Sequence, residues 1–282
     1  MKKHILVGAD QSDAGKAAAD WAAIRAGNQG LDLHLVRTVP EPWAFREPIQ
    51  YSNAMARARE LVDAEAARLS GLIPSLNIDA AIQTGDTVQV LQQLSEKAEV
   101  VVVGTDRRPD SHGEGFGSVS FQAVVLSRST VAVVPDTDPA DRHGVIVGVD
   151  GSPDSDLALE LGAAEASRSM QDLTAIYACP PVGQSRDGND LRSGLGAEQE
   201  ERHRLLTAVS PIREMYRGLV VHEILELNES PANALIHAAS KARLLVIGLR
   251  GSGGLRKPVG SIAWQVLLNI QCPTIVTRPA SP

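Results

Sequence analysis

A chain of 282 residues is too long for one small domain and close to two of about 140. Its 43% hydrophobic and 22% charged residues exclude a disordered chain. No run of about 18 apolar residues occurs, and the net charge of −7 comes without any cluster of lysine and arginine, so membrane and nucleic-acid partners are disfavoured.

The start, MKKHILVGAD, passes from two lysines directly into a short apolar strand, which gives no support to secretion; the cytoplasm is the expected location. In chain order, strands are predicted at 4–9, 31–39, 77–83, 100–104 and 130–134, then at 145–149, 172–179, 219–226, 243–248 and 273–277. These apolar runs are continuous rather than alternating, as in parallel strands buried on both faces. Helices are predicted between them over Asp13–Ala26, Ala54–Leu69 and Val88–Lys97, and over Asp154–Ser169, Ala197–Arg217 and Ala232–Lys241. Ser12 and Ser152 stand where an N-cap oxygen would satisfy orphan amides, and Pro153 fits a first helical position. Residues Pro180–Gly196 carry little apolar content and are expected to form an excursion. Alternating strands and helices predict an α/β fold, doubly wound in each half.

The halves repeat. Ile5-Leu6-Val7-Gly8-Ala9-Asp10-Gln11-Ser12 falls on Val145-Ile146-Val147-Gly148-Val149-Asp150-Gly151-Ser152 at an offset of 140. Val100–Gly104 falls on Leu244–Gly248, and Gly117-Ser118 on Gly260-Ser261. Three anchors in one order indicate duplication. The polar stretch Pro135–Gly144 reads as a linker, giving domains at 1–138 and 143–282.

Asp10 and Asp150 end the first strands, and Gly-rich segments follow Gly104 and Gly248. An open parallel sheet binds ligands beyond the carboxyl ends of its strands, where the order reverses, so these features are expected to converge. The segment from Gly248 through Gly251 to Gly260-Ser261 can bring backbone amides to phosphate oxygens. Ser261 opens a helix through Ala263, Trp264 and Leu267, whose positive end favours an anion. A Walker A lysine-serine pair is absent. Arg250, Arg256 and Lys257 give the second loop a charge of +3, against −1 for the first, with Asp106, Arg107, Arg108, Asp110 and Glu114.

These motifs, occurring twice and in register, resemble the universal stress proteins in their tandem two-domain form. The resemblance implies two flavodoxin-like or adenine-nucleotide α-hydrolase-like domains, each a five-stranded parallel sheet with helices on both faces. It also implies binding of ATP, with Mg²⁺, without a turnover apparatus, so a dedicated enzyme is not expected. Carried over by residue, Asp150 would lie beside the nucleoside, Ala178 would line the adenine pocket, and Gly248, Gly251, Gly260 and Ser261 would surround the phosphates, with Arg256 and Lys257 adding charge. Eight residues separate Gly251 from Gly260, where the family has nine.

The first half keeps Asp10, Thr38, Gly104, Gly117 and Ser118, but Arg107 replaces the second glycine. Were that position left-handed, arginine would cost about 1–3 kcal/mol, so the first site is expected to be weak or empty. The alternatives are a scaffold with both sites degenerate and a slow ATP hydrolase. The last strands, Val131–Val134 and Thr274–Thr277, are expected to pair the domains as a pseudo-dimer, with a homo-oligomer as a further option. Cys179 and Cys272 form no redox or zinc spacing and are expected to be buried and inert. The acids of the first loop with His112 suggest a hydrated loop rather than a metal site. His222 and His237 are expected to be structural, and Trp21 and Trp264 to be core.

Overall fold

The computed structural model describes residues 3–105, 118–137, 141–179, 195–251 and 258–279. The chain forms two compact units, the first ending at Asp136 and the second spanning Thr137–Pro279.

In the first unit the strands are β1 (His4–Gly8), β2 (Asp32–Val39), β3 (Ile78–Thr84), β4 (Ala98–Thr105) and β5 (Thr130–Pro135). The helices are α1 (Asp13–Gln29), α2 (Pro48–Leu72), α3 (Thr87–Ser95) and α4 (Ser118–Leu126). All strand pairs are parallel and the order is β3-β2-β1-β4-β5. The second unit repeats this with β6 (Val145–Val149), β7 (Leu173–Ala178), β8 (Val221–Glu226), β9 (Leu244–Gly248) and β10 (Thr274–Thr277), ordered β8-β7-β6-β9-β10. Its helices are α5 (Pro153–Ser169), α6 (Leu195–Met215), α7 (Pro231–Ala239) and α8 (Ser261–Leu268). An order of 3-2-1-4-5 differs from that of flavodoxin itself, 2-1-3-4-5, in the place of the third strand, while the parallel sheet with helices on both faces is the same. The order reverses between β1 and β4, and between β6 and β9, which puts a crevice beyond their carboxyl ends.

The core follows from the continuous apolar runs. Ile5, Leu6, Val7, Val101 and Val102 in the first unit, and Val147, Val246 and Ile275 in the second, are fully enclosed or nearly so. Helix α1 presents Ala14, Ala18, Ala19, Ala22, Ala23 and Ala26 to the sheet; side chains this small let the helix sit close. Helix α5 uses Ala158, Leu159, Ala163 and Ala166 in the same way, and a side chain on its Gly162 would collide with Val147.

Several expectations change. Helix α2 begins at Pro48, six residues before the predicted start, because proline is tolerated at a first helical position. Helix α4 lacks the amphipathic period that would announce it; SVSFQAVVL is apolar on nearly every face. Trp264 is 41% exposed rather than core, since α8 turns Ala263, Val266 and Leu267 inward instead. Trp21 is partly exposed, with the Arg25 guanidinium 5.3 Å from its ring centroid. His222 and His237, expected to be structural, pair on the surface with Asp172 at 3.1 Å and Glu229 at 2.9 Å. Helix α6 already includes Gly196, so the expected excursion ends sooner, and residues 180–194 lie outside the described residues.

Candidate functional site

The site in the second unit starts where β6 ends. After Asp150, Gly151 reverses the chain at φ 75°, and the Asp150 carboxylate accepts from the Ser152 N–H at 3.0 Å. Ser152 Oγ in turn accepts from the Ser155 N–H at 3.2 Å, capping α5, while Pro153 takes its first position. Strand, turn and helix start are thereby one rigid piece.

Gly248 ends β9 against that helix start. A Cβ there would lie 2.8 Å from Asp154 Cβ and 2.9 Å from its carbonyl carbon, so glycine is what permits the approach. Asp154 fastens the neighbouring strands: its carboxylate accepts from the Arg250 N–H at 3.0 Å, and its carbonyl accepts from Thr277 Oγ at 3.2 Å.

These ends enclose a cavity of about 370 Å³. Ile176, Ala178 and Cys179 from the end of β7 and Pro231 and Leu235 of α7 line it. Asp150, Gly248, Gly251, Gly260 and Ser261 line the same space, so six of the residues expected at the second site meet there. Arg256 and Lys257 lie outside the described residues.

Gly251 corrects one expectation. Its φ is not left-handed, and a Cβ there would meet Asp150 Oδ2, so a side chain at this position would turn the Asp150 carboxylate aside. The constraint on this position is therefore space beside a carboxylate. Gly260 is the N-cap of α8 and offers no side-chain acceptor, so the first amides of α8 receive no cap from it, and Ser261, Ile262 and Ala263 line the cavity. A concave space with apolar walls, one carboxylate and a helix start suits a ligand with a flat apolar part and an anionic part.

Two wall residues titrate. Burial, followed by a hydrogen bond to Glu201, pushes the Tyr177 hydroxyl up to about 12. Burial, then the charge of Glu201, raises the Cys179 thiol. Both stay protonated near neutrality, so neither serves there as a general base or thiolate nucleophile. Cys179 is half-buried in the cavity wall, not sealed in the core as expected, whereas Cys272 is buried, with its thiol pushed up to about 12 by that burial. Among the described residues no group of three metal-ligating side chains is assembled.

The first unit keeps the scaffold and changes the walls. The Asp10 carboxylate accepts from the Ser12 N–H at 3.0 Å and its hydroxyl at 2.8 Å, and Ser12 Oγ accepts from the Gly15 N–H at 2.9 Å. A Cβ on Gly104 would lie 2.5 Å from the carbonyl carbon of Ala14 and 2.8 Å from the Gly15 nitrogen. Where the second unit has Ala178 and Pro231, the first has Thr38 and Thr87, whose hydroxyls are hydrogen-bonded at 2.6 Å. Arg37 donates to the Ala9 carbonyl at 2.9 Å. Arg107 and Gly117 lie outside the described residues, and Ser118 opens α4.

Sequence reasoning missed Pro231, Leu235, Cys179 and Ser155. The signal for α7 was available: right-handed crossovers on either side of the switch point place the helix after the third strand on the same face as the helix after the fourth.

The family model described as the universal stress protein family matches residues 1–135 and again 142–278. A universal stress protein of Mycobacterium tuberculosis H37Rv is 32% identical, over 99% of this chain and 96% of its own length. One from Mycolicibacterium smegmatis is 30% identical, over 98% and 97%. The crystal structure of a universal stress protein from Archaeoglobus fulgidus superposes with a TM-score of 0.72 at 18% identity, covering 98% of both chains, which speaks for the shared fold. Two copies of the motif in one chain, two matches to the family model and full-length relatives agree: the chain belongs to the universal stress protein family, in its tandem two-domain form.

Proposed function

We propose that the second unit binds an adenine nucleotide, ATP with Mg²⁺, and that the protein acts through nucleotide-dependent interaction rather than turnover. The observation that carries this reading is one cavity uniting an apolar slot, the Asp150 carboxylate and the start of α8 at the switch point of the sheet. The apolar lining that includes Ala178, Pro231 and Leu235 takes the purine, and Asp150 accepts from a ribose hydroxyl. The amides at Gly251 and at the start of α8, with the positive end of its dipole, receive phosphate oxygens. Mg²⁺ would reduce the charge of the phosphate tail. The shifts at Tyr177 and Cys179 run away from neutrality, which favours binding over acid–base chemistry. The first unit is the weaker site.

Calorimetric titration of nucleotide-stripped protein with ATP and Mg²⁺ tests this, beside Gly260→Glu and Gly251→Arg, the latter copying Arg107. The expected result is saturable heat from the parent and none from either variant. No heat from the parent would leave the interaction scaffold standing, the alternative favoured by the eight-residue spacing between Gly251 and Gly260. Unchanged heat from both variants would move the site to the first unit. Release of phosphate from labelled ATP above background would replace binding by hydrolysis as the activity.

A further inference from the structure

We propose that Arg278, together with Arg250, forms a two-guanidinium clamp at the rim of the cavity that selects nucleotides with a polyphosphate tail. The proposal rests on the nucleotide reading of that cavity and adds a residue from β10 to it.

Three observations place the pair. The Leu249 N–H donates to the Thr277 carbonyl at 3.2 Å, so the residues that follow, Arg250 and Arg278, leave adjacent strand ends together. Both strand ends are held to the first turn of α5, Arg250 through its N–H on the Asp154 carboxylate at 3.0 Å and Thr277 through its hydroxyl on the Asp154 carbonyl at 3.2 Å. Arg250 lines the cavity, and Arg278, half-buried, follows the neighbouring strand end without lining it.

The electrostatics agree with this placement. Burial and then the positive charge of Arg250 depress the Arg278 guanidinium, while Asp154 opposes them. The two positive charges are near enough to repel one another. A phosphate between them would relieve that repulsion and accept planar, charge-assisted hydrogen bonds from both. A cavity of about 370 Å³ lies at the small end of ligand pockets, so a nucleoside and its first phosphate occupy most of it and a longer tail leaves by the rim.

At the two matching positions the other copy carries no cation. In the first unit Pro135 pairs with Thr105 at the strand position that Arg278 holds beside Leu249. At the repeat offset that places Gly104 on Gly248, Asp106 is the counterpart of Arg250. The clamp thus belongs to the unit whose cavity has the apolar walls.

Equilibrium titrations of the stripped parent, Arg278→Gln and Arg278→Lys with ATP, AMP and adenosine test the clamp, with thermal unfolding as the check on folding. The parent is expected to bind ATP at least about tenfold more tightly than AMP. Arg278→Gln is expected to lose about tenfold for ATP while adenosine stays within about twofold. Arg278→Lys keeps the charge without the fork and falls between, and it carries the test should the glutamine variant not fold. Equal ATP affinity in the parent and the variants, or equal losses for ATP and adenosine, would overturn the clamp and leave the cavity reading intact. A parent that binds neither ATP nor adenosine would overturn both.

Discussion

The two units share a skeleton and differ in what they present to the crevice. In each, an aspartate just past the first strand accepts from the serine two residues on, that serine caps a helix, and a glycine near the end of the fourth strand lets that helix approach. The residues at the crevice then diverge, to Thr38 hydrogen-bonded to Thr87 in one unit and to Ala178 and Pro231 in the other. The lesson is that the glycine motif mixes two jobs. Gly104 and Gly248 belong to helix docking, because their missing side chains make room for backbone. Gly251 belongs to the cavity, because its missing side chain makes room beside Asp150. Retention of Asp10 and Gly104 in the first unit therefore reports a fold, and a ligand has to be argued from the wall residues.

The sharpest way to break this comparison is to give the docking glycines a side chain. Gly104→Ala and Gly248→Ala should each destabilise the protein by about 2–3 kcal/mol, since in both cases the added carbon meets backbone that cannot rotate away. Denaturant unfolding measures it, and a loss under about 0.5 kcal/mol would show that α1 or α5 docks with slack.

A smaller effect tests how the copies drifted. Gln11 and Gly151 occupy the same left-handed turn, at φ 67° and 75°, and Gly30 and Met170 the same helix C-cap, at 63° and 51°. Each copy kept glycine at one of the two positions. Met170 is 91% exposed, so its side chain has little packing to lose. Met170→Gly and Gln11→Gly should each raise stability by about 0.5–1 kcal/mol, the left-handed strain less the extra freedom of an unfolded glycine. Melting temperatures of the single and double variants check this, and additive gains are expected from separate sites.

The smallest expected effect is confined to the first unit. The rings of His4 on β1 and His34 on β2 lie 5.7 Å apart, tilted at 56°, and His34 pairs with Asp79 at 2.8 Å. Burial, then the charge of His34, lowers the His4 pKa from its ordinary 6.5, with Asp32 and Asp79 opposing. A histidine with a lowered folded-state pKa binds fewer protons folded than unfolded, so its contribution to stability falls as the pH drops below 6.5. Unfolding between pH 7.5 and 5.5 should show a shallower acid loss in His4→Gln than in the parent, and parallel curves would remove His4 from the account.

Much of the fold was legible because its signals are local. Buried parallel strands give continuous apolar runs, caps give Ser12 and Ser152, and duplication gives matching anchors. Helix α4 was hidden because a segment apolar on nearly every face has no period to detect. The members of the site were legible as a set, since strand ends converge at a switch point, but their reasons were not. Whether the second glycine position is left-handed could not be read from spacing; at Gly251 it is not, and a side chain there would displace the Asp150 carboxylate.

By itself, then, the sequence determined the duplication, the alternation of strands and helices, and which strand ends carry acid and glycine, because each follows from spacing along the chain. The tertiary structure alone decided that Pro231 and Leu235 line one cavity with Ala178, that a side chain at position 251 would meet the Asp150 carboxylate, and that the strand ends preceding Arg250 and Arg278 lie side by side. Those are contacts between elements brought together by sheet order and helix packing, and no local pattern records how closely two elements approach.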